Sequence, residues 1–205
     1  MWLDQVKNKL ASLWEKDKIV LNNAEKENEA DPPYWQGGQM RILVVSDTHG
    51  RVGELQDLLE RIQPDLMLHL GDSEISYADL KALADCPVIA VTGNCDSTDS
   101  FGAEGEWRHI MQLTETIRIY MAHGHMDRVK DGTEGIASMA RFCNCNVVLF
   151  GHTHMPLLEY QEDMVLLNPG SLTVPRLGGN GNYAMIEIEP DGTPHYSRFT
   201  YERQA

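Results

Sequence analysis

Basic residues are scarce in this sequence. Lys and Arg number 17 against 31 Asp and Glu, and the formal net charge is -14 over 205 residues. Non-specific nucleic-acid binding needs a basic footprint, so nucleic-acid binding is not expected. Attraction to an anionic membrane surface is disfavoured for the same reason. Long apolar runs are missing too: none approaches the roughly 20 residues that span a bilayer. The four cysteines, Cys86, Cys95, Cys143 and Cys145, include no pair at zinc-motif spacing, and Cys143-Asn144-Cys145 is too close for CxxC. Free thiols in a reducing compartment are expected. The N-terminus is charged and amphipathic with no apolar signal core, so a cytoplasmic location is expected. There is no internal repeat and no low-complexity tract.

What remains is an ordinary globular composition, 42% apolar, which suits one domain with an appendage. The appendage is residues 1–38. Leu3, Val6, Leu10 and Leu13 recur at helical spacing beside Trp2 and Trp14, which predicts an amphipathic helix. The stretch NNAEKENEADPPYWQGG is polar, with paired Pro and paired Gly, and reads as a linker. The helix is either a loose tail or a docking element for a partner or a second copy, so a homo-oligomer is one expectation. Residues 39–205 form the main domain.

Strand and helix patterns alternate from residue 41. A strand over 41–46 leads to a helix over 51–62 with Val52, Leu55, Leu58, Leu59 and Ile62 on one face. Strands over 66–70 and 87–92 flank a short helix over 76–84, which gives a βαβαβ opening and a parallel sheet. A hairpin over 107–113 and 117–122, a helix over 132–143 and a strand over 146–150 follow. The remainder is strand-rich: 156–161, 164–168, 182–188 and 194–201.

Five apolar runs end in residues that ligate metals: ILVVSDTHG (42–50), LMLHLGD (66–72), VIAVTGNCD (88–96), IRIYMAHGH (117–125) and NVVLFGHTH (146–154). Buried strands deliver such loops to one sheet edge. Five of the eight histidines lie at these ends. Asp47/His49, His123/His125 and His152/His154 are i, i+2 pairs, which an extended backbone points the same way. Asp72 is a lone carboxylate able to bridge two ions. Asn94 offers a neutral amide oxygen. Asp47, His49, Asp72, Asn94, His123, His152 and His154 give four protein ligands per ion if Asp72 is shared. Mixed N/O donors without thiolate suit two divalent ions: Mn²⁺ first, with Zn²⁺, Fe²⁺ or Co²⁺ compatible. Such ions sit about 3.5–4 Å apart and hold a bridging hydroxide as nucleophile.

His69 lies inside a strand and reads as a core histidine with a partner. His125 either touches substrate or donates to a backbone carbonyl. Asp96 either positions Asn94 or a histidine, as carboxylates behind metal ligands do, or caps the following loop. Arg176 could meet a phosphate or form a surface ion pair.

The ordered set DTHG, GD, GNCD, HGH and GHTH resembles the calcineurin-like metallophosphoesterase superfamily. With GNCD and the later Asn168-Pro169-Gly170-Ser171, it is similar to the small single-domain bacterial and archaeal phosphodiesterase branch. The resemblance covers residues 41 to about 200. It implies an α/β fold: a four-layer αββα sandwich of two stacked mixed sheets flanked by helices. It also implies that Asp47, His49 and His154 hold one ion and Asn94, His123 and His152 the other, with Asp72 bridging. Catalytic roles then fall on Asp72, Asn94, His123, Cys95 and Asp96. Many superfamily members have a histidine at the position of Cys95. A thiol is a poorer acid and a weak donor, which suits activated diesters better than monoesters. The implied function is a divalent-metal-dependent phosphodiesterase acting on a small phosphoester. Alternatives are a phosphomonoesterase or protein phosphatase, and a metal-binding scaffold for protein interaction, since a eukaryotic retromer subunit resembles the same branch.

Overall fold

The computed structural model of the chain describes residues 34–97 and 106–202. The amphipathic segment with Leu3, Val6, Leu10 and Leu13 lies outside the described residues, as does most of the 97–106 loop.

The described residues form ten strands and three helices in two sheets. The strands are β1 (Met40–Val45), β2 (Leu66–His69), β3 (Val88–Ala90), β4 (Arg108–Gln112), β5 (Arg118–Ala122), β6 (Val147–Phe150), β7 (Leu157–Tyr160), β8 (Val165–Asn168), β9 (Gly181–Ile188) and β10 (Pro194–Tyr201). The helices are α1 (Val52–Ile62), α2 (Tyr77–Ala82) and α3 (Glu134–Phe142). One sheet runs β10-β9-β1-β2-β3, with β1, β2 and β3 parallel, as the βαβαβ pattern predicts. The other runs β4-β5-β6-β8-β7, with β5, β6 and β8 parallel. Antiparallel hairpins close the outer positions: β4–β5, β7–β8 and β9–β10.

Three apolar layers explain why the strands read as nearly unbroken hydrophobic runs. Ile42, Val44, Leu66 and Leu68 of the first sheet face Ile119, Met121, Val147 and Leu149 of the second. The alternate residues Leu43, Val45 and Met67 pack under Leu55, Leu58 and Leu59 of α1 and Leu80 of α2. Tyr120, Val148 and Phe150 pack under Ile136, Ala137 and Ala140 of α3. Strands buried on both faces cannot alternate with polar residues. The result is the expected sandwich, helix–sheet–sheet–helix.

Two details differ from the sequence reading. Val52 is 38% exposed, so the buried face of α1 narrows to Leu55, Leu58 and Leu59. Tyr34 and Trp35, which composition assigns to the linker, bond through their N–H groups to the carbonyls of Gln112 and Leu113 at 2.8 Å each. Trp35 also packs against the layer between the sheets, so apolar burial overrides the polar setting. No described helix is long and apolar enough to cross a membrane. None of the four cysteines forms a disulfide.

Candidate metal centre

The C-terminal ends of β1 and β2 in one sheet and of β5 and β6 in the other deliver their loops to one cleft. Asp47 and His49 follow β1, Asp72 follows β2, His123 follows β5, and His152 and His154 follow β6. Two groups of donor atoms result. Atoms of Asp47, His49 and His154 lie within 4.8 Å of one another, and so do atoms of Asp72, His123 and His152. The groups adjoin, because His123 Nε2 is 3.4 Å from Asp72 Oδ2 and 3.9 Å from Asp47 Oδ1. Each group takes residues from both sheets.

The backbone that presents these side chains is not extended. Asp47, His49, Asp72, His152 and His154 all have φ between +45° and +65°. The Asp47/His49 and His152/His154 pairs therefore share a face because both members sit in left-handed turns, which corrects the extended geometry expected from sequence for these two pairs. Asp and His tolerate this region better than most residues, yet it costs about 1–2 kcal/mol per residue. Bonds between loops offset the cost. Asp47 N–H donates to Gly71 O and His49 N–H to Asp72 O, both at 3.0 Å. His152 N–H donates to Asp47 Oδ2 at 3.2 Å. Gly93 and Gly151 are required by packing: a Cβ on Gly93 would collide with Asp72, and one on Gly151 with Ser46 Oγ.

Hydrogen bonds behind the histidines set which nitrogen faces the cleft. Nδ1 of His123 bonds to Leu70 O at 2.7 Å, and Nδ1 of His154 to Val174 O at 2.6 Å. A carbonyl only accepts, so both Nδ1 atoms carry the proton and both Nε2 atoms are free to ligate. Nδ1 of His49 meets Glu74 Oε1 at 2.7 Å, with the same consequence. His152 presents Nδ1, 3.2 Å from His123 Nε2.

The electrostatics call for a cation. Asp47 is fully buried and Asp72 is 2% exposed. Asp47 Oδ1 has no aligned hydrogen-bond donor, although His154 Nε2 lies 3.1 Å away. Burial works to raise both carboxyls. The imidazoles of His154 and His123 hold Asp47 below the usual carboxylate range, and His123 does the same for Asp72. Burial, followed by the neighbouring His123, pushes His152 down to about 4, which leaves it a neutral ligand. Asp47 and Asp72 in turn draw the His154 and His123 imidazoles upward against burial, so each group pairs a buried carboxylate with imidazole nitrogens, a donor set that fits a divalent ion.

The remaining candidates surround this cleft. Asn94 and Cys95 are exposed on the loop after β3, with Asn94 Nδ2 donating to Cys95 Sγ at 3.2 Å. Cys95 N–H donates to Asp72 Oδ1 at 2.8 Å. Asp96 is half-buried, with its carboxylate taken up by neighbouring donors. Its Oδ2 accepts from the N–H groups of Asp72 and Gly93, and its Oδ1 from Glu74 N–H, all at 2.8 Å; Oδ1 also accepts from Ser73 Oγ at 3.1 Å. His69 is a fully buried core histidine: Nδ1 accepts from Gly71 N–H and Nε2 bonds to Thr48 Oγ1. Burial holds it down to about 4. His125 lies beside His123 and His152, with its ring 5.0 Å from that of Trp107 and its buried Nδ1 without a partner. Arg176 is exposed, and its N–H donates to His154 O.

Two features escape a reading by motif. Glu74 carries no motif, and only the fold brings it to His49. Asn168 and Ser171 stand in a recognisable motif whose purpose is visible only in three dimensions. Asn168 Nδ2 donates to Gly151 O at 2.9 Å, its Oδ1 accepts from Gly170 N–H, and Ser171 Oγ donates to Asp47 O at 2.7 Å. The segment thus braces the Asp47 loop against the His152 loop. Asn168→Ala is expected to destabilise the domain by about 1–3 kcal/mol, because buried backbone groups lose their partner. Urea unfolding checks this, and an unchanged midpoint would remove the brace.

Residues 40–191 match the family model described as the calcineurin-like phosphoesterase superfamily domain. A Bacillus subtilis protein described as a probable metallophosphoesterase, YsnB, is 32% identical over 154 residues, covering 74% of this chain and 86% of its own. The phosphodiesterase YfcE of Escherichia coli is 28% identical over 170 residues, covering 72% and 88%. A Streptococcus pneumoniae predicted phosphoesterase of known crystal structure shares the fold with a TM-score of 0.63 at 24% identity, over 80% of this chain and 98% of that one. The match to this family model over three quarters of its length and the likeness to the Bacillus subtilis protein place the chain in the calcineurin-like phosphoesterase superfamily, among the small metallophosphoesterases.

Proposed function

We propose that the chain is a divalent-metal-dependent phosphodiesterase that holds two ions side by side. The observation that supports this is the pair of adjoining donor groups, each with a buried carboxylate and two imidazoles and each drawn from the loops of both sheets. Asp47, His49 and His154 hold the first ion, and Asn94, His123 and His152 the second. Asp72 serves both. Mixed nitrogen and oxygen donors make Mn²⁺ the first candidate. Such ions supply an activated water as nucleophile and positive charge opposite the phosphoryl oxygens. That local charge also lets an acidic protein attract an anionic substrate.

The chain's own groups set the substrate class. The Cys95 thiol is pushed up to about 11, by burial and then by the Asp72 carboxylate, so it stays protonated at neutral pH. A thiol is a weak hydrogen-bond donor and assists a poor leaving group little. Diesters with acidic leaving groups are therefore preferred over alkyl monoesters. Asp96, with its carboxylate spent on the Asp72, Gly93, Ser73 and Glu74 donors, positions the loops and does not touch substrate.

The test is metal content and turnover after reconstitution with Mn²⁺. Two ions per chain are expected, with a nitrophenyl diester hydrolysed and an alkyl monoester hardly at all. One ion with full activity would sink the two-ion reading. Monoester preference would favour a phosphomonoesterase, and two bound ions without turnover on any ester would favour a scaffold. In Cys95→His the ratio of monoester to diester kcat/KM should rise by roughly tenfold or more, as an imidazole is the better acid. An unchanged ratio in a variant that keeps both ions would separate position 95 from leaving-group chemistry.

A further inference from the structure

We infer that Glu74 is a positioning residue for His49: its carboxylate fixes the His49 tautomer and lends negative charge to the Asp47/His49/His154 group alone. The inference rests on the metal-centre reading above and deepens it. The three histidines that present Nε2 are not held alike. His123 and His154 donate to backbone carbonyls, whereas His49 Nδ1 meets a carboxylate oxygen, Glu74 Oε1, at 2.7 Å. A carbonyl orients an imidazole; a carboxylate also raises its basicity as a ligand.

The geometry around Glu74 is built to hold that contact. Glu74 has φ +56°, a region that Glu rarely adopts and that needs support from its surroundings. The support is the Asp96 carboxylate, whose Oδ1 accepts from Glu74 N–H at 2.8 Å and whose Oδ2 accepts from Asp72 N–H at 2.8 Å. One half-buried carboxylate thus locks both the Asp72 backbone and the strained turn that aims Glu74 back at His49. The parallel pairing of β1 with β2 brings the two loops together, and His49 N–H donates to Asp72 O at 3.0 Å. His49 is mostly covered, with a side chain 19% exposed, while the Glu74 side chain is 41% exposed. The carboxylate therefore reaches inward from the rim. No equivalent carboxylate stands behind the histidines of the Asp72/His123/His152 group among the described residues. The two ion sites should differ in affinity because of this one side chain.

The experiment is Mn²⁺ binding by calorimetry to the full-length wild type, Glu74→Ala and Glu74→Gln, with ¹⁵N imidazole NMR of the metal-free proteins. Glu74→Ala should weaken one ion site by about 10–100-fold and leave the other essentially unchanged. Glu74→Gln keeps an acceptor oxygen without the charge and should fall between wild type and Glu74→Ala. In metal-free wild type the His49 ring should show a single tautomer protonated at Nδ1, and Glu74→Ala should mix the tautomers. In a His49→Asn background Glu74→Ala should add no further loss of affinity. Equal weakening of both sites, additive losses in the double variant, or an unmixed tautomer in Glu74→Ala would overturn the role. Three ions in wild type falling to two in Glu74→Ala would also overturn it, by making Glu74 a ligand together with His49 and Cys95, which lie within 4.8 Å. If Glu74→Ala does not fold, the isosteric Glu74→Gln carries the comparison. A wild type that binds one ion fails the two-ion reading instead, and the Glu74 dependence of that ion still decides the present inference.

Discussion

Asp72→Asn is expected to lower diester turnover by roughly a thousandfold and to release both ions, the largest single effect in the chain. Asp72 is the buried carboxylate of one donor group, whose His123 adjoins the Asp47 of the other. Its Oδ1 is anchored by Cys95 N–H at 2.8 Å and its Oδ2 faces His123 Nε2 at 3.4 Å. Both oxygens need to accept or ligate, and both lie where positive charge must be offset. An amide of the same shape halves the acceptor capacity and removes the negative charge from both sites at once. Asn94→Ala removes one neutral donor from one site and should cost roughly tenfold, within the range for loss of a single supporting ligand. Metal content per chain and kcat/KM for the two variants give the comparison. Wild-type affinity and turnover in Asp72→Asn would end the bridging role.

Chelation is expected to lower the thermal midpoint by about 5–10 °C per site lost. An ion that binds only the folded chain stabilises it by about 2.7 kcal/mol when free ion is at a hundred times Kd. For a domain of this size each kcal/mol moves the midpoint by about 2–4 °C. The folded state is a strict requirement here, because each donor group draws on both sheets: Asp47 and His49 with His154, and Asp72 with His123 and His152. Unfolding separates them by up to 107 residues of chain, from Asp47 to His154. Calorimetric scans with EDTA and with excess Mn²⁺ measure the shift. Asp72→Asn should show little of it. A midpoint indifferent to chelator would mean that the ions do not join the two sheets.

The sandwich and the clustering of candidate donors were legible because the same physics writes both into the sequence. β1, β2, β5 and β6 are buried on both faces, so each reads as an apolar run, and each run stops where the cleft begins. Asp47, Asp72, His123, His152 and His154 stand at those stops. What could not be read depends on contacts between loops. The left-handed turns at the ligands arise from bonds such as His152 N–H to Asp47 Oδ2, between residues 105 apart in sequence. Glu74 reaches His49 only because β1 and β2 pair in parallel. Asn168 and Ser171 announce themselves as a motif, but not which two loops they tie. Tyr34 and Trp35 look like linker until β4 and the layer between the sheets are in place.

The positive φ angles at five of the candidate ligands change what an alanine scan of this site would measure. At +45° to +65° an alanine loses the donor atom and also sits in a backbone region its Cβ disfavours. Some of the damage in His49→Ala or His154→Ala would thus be backbone strain mistaken for lost chemistry. Glycine at the same position deletes the ligand while relieving the turn, so the metal-free His154→Gly protein should melt above its alanine counterpart, although neither completes the first site. At Asp47 and Asp72 the side chain also holds the fold, accepting from His152 N–H and Cys95 N–H, so the same comparison there would show glycine losing a loop-to-loop bond along with the strain.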